Sequence, residues 1–104
     1  MSGFVNSEVV DGICTITFSH PASNSLPGSI LSQLAKSVQS AGVDSDTRVI
    51  VLKSSGERAF CAGASFDELL AIENETQGLE FFSGFANVIN AIRTCPKFVL
   101  GRVQ

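Results

Sequence analysis

The sequence predicts an α/β fold, on three observations. Strand-like and helix-like segments alternate along the chain. The run Val49-Ile50-Val51-Leu52 is continuously apolar, as in a parallel strand covered on both faces. Ile30, Leu31, Leu34, Ala35, Val38 and Ala41 recur at helical spacing between that strand and the preceding pair.

The first two strands are Phe4 to Val10 and Ile13 to Phe18, joined at Asp11-Gly12, a dipeptide that favours tight hairpins. Cys14, Ile16 and Phe18 alternate with Ile13, Thr15 and Thr17, so the two sets face opposite sides of the sheet. His20 to Gly28 is rich in Pro, Ser and Asn and reads as a loop. Pro27 sits near the first position of the helix that follows, and Gly42 is its expected stop. Arg48 to Ser54 forms the buried strand. Ser65 then serves as an N-cap with Glu68 three residues on, the capping-box pattern, opening a short helix through Leu69, Leu70 and Ile72. A longer helix, from about Gln77 to Thr94, places Leu79, Phe82, Phe85, Ala86, Ile89 and Ile92 on one face before Pro96 breaks it. Phe81 and Phe82 are adjacent, so they cannot share that face, and one of them meets a neighbouring element or subunit. Lys97 to Val103 begins a further strand. A hairpin and two more strands are an incomplete set of sheet partners. The chain is therefore expected to be part of a longer α/β protein or to depend on a partner chain.

Composition narrows the function classes. At 104 residues and 44% hydrophobic, the chain suits one small globular unit, without internal repeats or a linker. Seven basic and ten acidic residues give a net charge of −3, with no basic cluster, which argues against charge-driven binding of nucleic acid or anionic membranes. No signal-peptide pattern or ~20-residue apolar span is present. Cys14, Cys61 and Cys95 are odd in number, widely spaced and without a CxxC, which points to reduced cytosolic thiols and a cytoplasmic protein. His20 is the sole histidine, which leaves no His-rich metal cluster. Cys61 and His20 as a nucleophile–base pair lack a third, orienting group.

The stretch Glu57 to Leu69, ERAFCAGASFDEL, is where ligand chemistry is expected. It carries small residues from a buried strand into a helix start. Free N–H groups there can meet negative charge on a ligand, and Gly63 can take a positive φ that turns the next N–H outward. Small residues before a helix also serve close packing, and on physical grounds alone packing is the better-supported reading. The loop lacks both the GxxxxGK[ST] and the GxGxxG pattern.

Ala59-Phe60-Cys61-Ala62-Gly63-Ala64, followed by Ser65-Phe66-Asp67-Glu68-Leu69, resembles the AFxAGAD-helix signature of the enoyl-CoA hydratase/isomerase (crotonase) superfamily. The opening hairpin, the loop from His20-Pro21 to Asn24-Ser25-Leu26, the Arg48–Leu52 strand and the Lys97–Val103 strand follow the family's order. The resemblance implies a spiral of ββα units, of which residues 1–104 are the N-terminal portion of one domain, the C-terminal portion lying outside it. It implies that the Ala64 N–H is one of two oxyanion donors to an acyl-CoA thioester. Ser25, Leu26, Ala62, Gly63, Ala64, Ser65, Phe66 and Asp67 would bind substrate and CoA. Coenzyme A enters as part of the substrate, with no separate cofactor and no metal. The implied reaction is hydration of a 2-enoyl-CoA; the implied assembly is a trimer or hexamer. A double-bond isomerase, a thioester hydrolase and a non-catalytic acyl-CoA-binding module are the alternatives. The helix from Glu80 to Arg93 is faintly similar to methylglutaconyl-CoA hydratases. The family usually has Asp where this chain has Ser65, a change between two good N-caps. The second donor and the catalytic glutamates of the family fall after Gln104. Glu57, Glu68, Glu73, Glu75 and Glu80 are expected to be solvated charges.

Overall fold

The computed structural model describes residues 3–21, 24–56 and 59–103. Strands β1 (Phe4–Val10) and β2 (Ile13–Ser19) pair antiparallel across Asp11 and Gly12. Both turn residues have positive φ, 52° and 82°, as a type I′ turn requires. The chain then crosses through helix α1 (Gly28–Val43) to β3 (Val49–Ser54), which lies parallel to β2. Helices α2 (Phe66–Leu70) and α3 (Glu75–Thr94) lead to β4 (Phe98–Arg102), parallel to β3. The sheet order is β1-β2-β3-β4.

The core lies between one face of this sheet and the helices. Cys14, Ile16 and Phe18 of β2 and Ile50 of β3 meet Ile30, Leu31, Leu34, Ala35, Val38 and Ala41 of α1. Of the two alternating sets of β2, the one of Cys14, Ile16 and Phe18 faces the core, and it meets the predicted stripe of α1. Full burial of such a side chain stabilises the fold by about 1.5–3 kcal/mol. Only one face of β3 is covered this way. Val49 and Val51 on its other face are half-buried, and Phe98, Leu100 and Ile13 beside them are exposed, so double-sided burial of β3 is not found among the described residues.

Four local expectations are corrected. Helix α1 passes through Gly42 to Val43 and is capped by Asp44, whose N–H donates to the Ala41 carbonyl. Gly42 is small because α1 meets the α3–β4 connection there: a Cβ at Gly42 would lie 3.3 Å from Cys95 Sγ and 3.4 Å from Pro96 Cδ. Helix α2 stops at Leu70, leaving Ile72 outside it. Helix α3 begins at Glu75, two residues early, because Asn74 Oδ1 accepts from the Gln77 N–H at 2.9 Å.

The fourth correction concerns which side of α3 is buried. Of the predicted face, Phe85 and Ile92 pack on the core, whereas Leu79, Phe82 and Ile89 are 71%, 56% and 56% exposed. The buried stripe is instead Phe81, Phe85, Val88, Ala91 and Ile92. The helix carries two apolar stripes. The one containing small residues wins, because Gly84 and Ala91 let α3 approach α1 closely; a Cβ at Gly84 would stand 3.1 Å from Leu31 Cδ1. Phe81 and Phe82 divide as expected, one buried and one exposed, with their rings edge-to-face at 5.1 Å.

Candidate functional site

Parallel strands β2 and β3 release their following loops at the same, carboxyl end of the sheet, where open α/β folds place ligands. The two loops zip together into a short parallel ribbon. The Ala62 N–H donates to the Asn24 carbonyl (3.3 Å), the Leu26 N–H to the Gly63 carbonyl (2.7 Å), and the Ser65 N–H to the Leu26 carbonyl (3.3 Å). Leu26 and Ala64 form the bridge. In a parallel ladder, a residue whose own N–H and C=O are both used pairs with the residues flanking its partner. Leu26 is that residue here. The N–H and C=O of Ala64 therefore point to the opposite side of the ribbon. Among the described residues the Ala64 N–H has no acceptor. Gly63, at φ 90°, makes the turn that presents it.

The ribbon is held from three directions. Asn24, 6% exposed and at φ 60°, accepts from the His20 N–H through Oδ1 (2.8 Å) and donates through Nδ2 to the carbonyls of Ser55 (3.2 Å) and Ala59 (2.9 Å). Phe60 sets its ring edge-to-face on buried Phe18, with centroids 5.2 Å apart. Beyond the bridge, Ser65 Oγ accepts from the Glu68 N–H, which is half of the predicted capping box. The other half does not form. Glu68 turns its carboxylate to the Gly28 N–H, at 3.0 and 3.2 Å, and so caps α1, whose own N-cap, Pro27, has no side-chain acceptor. Glu68 is therefore not a solvated charge. Glu73, Glu75 and Glu80 are exposed as expected; Glu57 lies outside the described residues, as do Ala22 and Ser23 of the first loop.

The predicted site residues do cluster, in different roles. Ala62, Phe66 and Asp67 are exposed; Ser25, Gly63 and Ala64 are half-buried. Leu26 is 5% exposed, with its side chain in the core and its backbone committed to the ribbon. Ser65 is buried and committed to α2. The Cys61 thiol accepts from the Gly63 N–H at 3.4 Å. Helix α2 is only five residues long and already carries Asp67 and Glu68 in its first turn, so its dipole adds little positive field. Among the described residues, the N–H that the bridge itself leaves without an acceptor is that of Ala64.

Behind Glu68, an open cleft of about 400 Å³ lies among Gly28, Glu68, Ala71, Ile72, Gln77, Glu80 and Phe81, apart from the ribbon. Among the described residues no group of three His, Cys, Asp or Glu side chains is placed to hold a metal ion, and no helix is long and apolar enough to cross a membrane. The shifted titrations lie at the other end of α1. Burial, then the nearby Asp44 charge, pushes the Cys14 thiol up. Hydrogen bonds from Thr47 Oγ1 (2.7 Å) and the Asp46 N–H (3.2 Å) hold the Asp44 carboxyl below its ordinary value.

Sequence reasoning found the loop and missed two residues that shape it, Asn24 and Glu68. The residue-level signal for Asn24 was an asparagine, a residue that tolerates positive φ, inside the loop that joins β2 to α1. The local signal at Glu68, three residues after Ser65, pointed to the capping box and not to Gly28, its partner 40 positions away.

With this geometry in hand, comparison with known proteins is specific. Residues 8–104 match the family described as enoyl-CoA hydratase/isomerase. A curated relative from Mycobacterium tuberculosis, named (7aS)-7a-methyl-1,5-dioxo-2,3,5,6,7,7a-hexahydro-1H-indene-carboxyl-CoA hydrolase, is 32% identical over 89% of this chain and 37% of its own length. A protein of the same name from Rhodococcus jostii is 31% identical, covering 89% of this chain and 36% of its own. The crystal structure of an enoyl-CoA hydratase from Bacillus anthracis superimposes with a TM-score of 0.85 at 25% identity, over 95% of this chain and 39% of that one. The chain thus spans little more than a third of the length of the curated relatives it matches.

Proposed function

This chain belongs to the enoyl-CoA hydratase/isomerase (crotonase) family, and on that premise we propose that it is the acyl-CoA-binding, N-terminal portion of an enoyl-CoA hydratase-type domain. The observation that carries the reading is the Ala64 N–H, turned out of the ribbon by Gly63 and lacking an acceptor among the described residues. In hydration of a 2-enoyl-CoA, water adds at C3 and the electron pair of the double bond moves toward the thioester oxygen, giving an enolate. An N–H aimed at that oxygen stabilises it more than the neutral carbonyl, and one such donor is worth about 2.7–4 kcal/mol in the transition state. Ala64 provides this donor. The exposed Ala62, Phe66 and Asp67, with Ser25, Gly63 and the backbone at Leu26 and Ser65, line the path of the CoA moiety.

Glu68 does not serve as the acid or base, because its carboxylate already holds the Gly28 N–H. In this reading the second oxyanion N–H and the glutamates that move protons come from the part of the domain outside these 104 residues. The complete protein is a cytoplasmic trimer or hexamer, with CoA entering only as part of the substrate. A second reading, hydrolysis of a CoA-linked substrate, is favoured by the two curated relatives named as CoA hydrolases.

Calorimetry of the folded chain with acetyl-CoA, alongside a crotonyl-CoA assay, tests the proposal. Binding without turnover is expected. No binding by the folded chain refutes the assignment of the CoA site, and robust hydration refutes the division of labour. In the complete domain, loss of the enoyl absorbance without release of free thiol marks a hydratase. Thiol release marks thioester hydrolysis.

A further inference from the structure

We infer that Asn24 is the positioning residue of the site: its side chain sets the direction of the Ala64 N–H without touching substrate. The argument starts from what the amide must satisfy. Asn24 is buried, and its side chain meets one N–H and two carbonyls: His20 N–H on Oδ1, and the Ser55 and Ala59 carbonyls on Nδ2. These partners fix the amide orientation, since a flip would set Oδ1 against two carbonyl oxygens. They also exclude the alternatives. Asp has no donor when ionised, Ser has one hydroxyl on a shorter stem, and Gly has nothing.

The bonds join the two loops at the point where the ribbon begins. Through Nδ2, Asn24 clamps the exit of β3 at Ser55 and the start of the small-residue stretch at Ala59. Through its own carbonyl it takes the Ala62 N–H, the first rung. The rungs at Gly63 and Ser65 follow in register, and they decide which side of the ribbon the Ala64 N–H faces. Slippage of one residue in a ribbon reverses the direction of every N–H along it. The Asn24 clamp thus holds the register that points Ala64 outward. The catalytic meaning of this role rests on the proposed function of Ala64; the clamp itself does not.

The test uses the ¹⁵N-labelled chain and two variants. Asn24→Asp keeps Oδ1 and loses both donated bonds. Asn24→Gly accepts the positive φ more readily than Asn and removes the whole side chain, which separates the clamp from backbone strain. Amide hydrogen exchange is read first, without ligand. Protection of the Ala62 and Ser65 N–H groups should fall by about tenfold or more in both variants, while Ile16 and Ile50 in β2 and β3 change by less than about twofold. Acetyl-CoA is then added: the Ala64 amide proton should shift in the wild-type chain and fail to shift in either variant. Asn24→Gly with unchanged protection at Ala62 and Ser65 overturns the inference, since the backbone conformation then suffices. Loss of protection throughout β2 and β3 also overturns it, since Asn24 is then a general support of the fold. If the wild-type Ala64 amide does not respond to acetyl-CoA, the proposed function fails, while the exchange data still decide the clamp.

Discussion

Replacing Glu68 with alanine removes the acceptor at the N-terminus of α1. The carboxylate takes the Gly28 N–H at 3.0 and 3.2 Å, and neither Pro27 nor an acidic residue in the first turn of α1 can take over. A hydrogen bond to a charged group contributes about 1.5–3 kcal/mol when well sheltered. Losing a capping side chain costs about 0.5–2 kcal/mol, and a negative charge at a helix start adds roughly 0.3–1 kcal/mol. Glu68 is only half-buried, and water can replace part of the lost bond, so Glu68→Ala should destabilise by about 1–2 kcal/mol. For a chain of this size that lowers Tm by roughly 5–12 °C. Glu68→Gln keeps one acceptor oxygen without the charge and should lose about half as much. Urea denaturation followed by circular dichroism measures both, with Glu80→Ala, exposed and beyond the first turn of α3, as the control, expected within about 0.5 kcal/mol of wild type. A Glu68→Ala loss no larger than that of Glu80→Ala would refute the capping role.

Two further outcomes follow from the loops around α1. Gly63 and Gly56 both have φ 90° and open space where a Cβ would stand, so alanine at either position carries backbone strain alone, about 1–2 kcal/mol. Only Gly63→Ala should also weaken acetyl-CoA binding; equal weakening by both would show that the effect is one of stability rather than of N–H direction. Asp44 has a depressed titration in the folded state, so its contribution is present above the unfolded value of about 3.9 and is lost as pH falls through the lower, folded value. Urea midpoints taken across the acid range should therefore decline less steeply for Asp44→Asn than for wild type, and coincident slopes would remove Asp44 from the acid transition.

How much of this was legible in the sequence depends on the range of the forces involved. The hairpin at Asp11-Gly12 and the stripe of α1 are local patterns, and both were readable from a few residues. The loop at Ala59 to Ser65 was readable because small residues, a glycine and an N-cap are consecutive. The buried side of α3 was not readable. Leu79, Phe82 and Ile89 form as good a stripe as Phe81, Val88 and Ala91, and the choice was made by the close approach to Leu31, which periodicity does not carry. Gly42 gave a false stop because its small size serves Cys95 and Pro96, more than 50 residues further on. Asn24 and Glu68 have long-range partners, so their residue types identified polar loop and helix positions without revealing what they hold.

Helix α1 has no acidic residue in its first turn and no basic residue in its last. Its two ends are nevertheless matched in charge, by Glu68 on the Gly28 N–H and by Lys97 Nζ on the carbonyls of Ala41 and Asp44. The matching groups come from 40 and from 53 to 56 positions along the chain. During synthesis, α1 therefore leaves the ribosome with both termini unsecured; the first can be matched once Glu68 of α2 has emerged, the second only when Lys97, just before β4, has arrived. Closing such long loops comes late in folding, after their entropy has been overcome. The C-terminus of α1 thus acts as a completion signal: its exchange protection should appear together with β4 rather than with the rest of the helix.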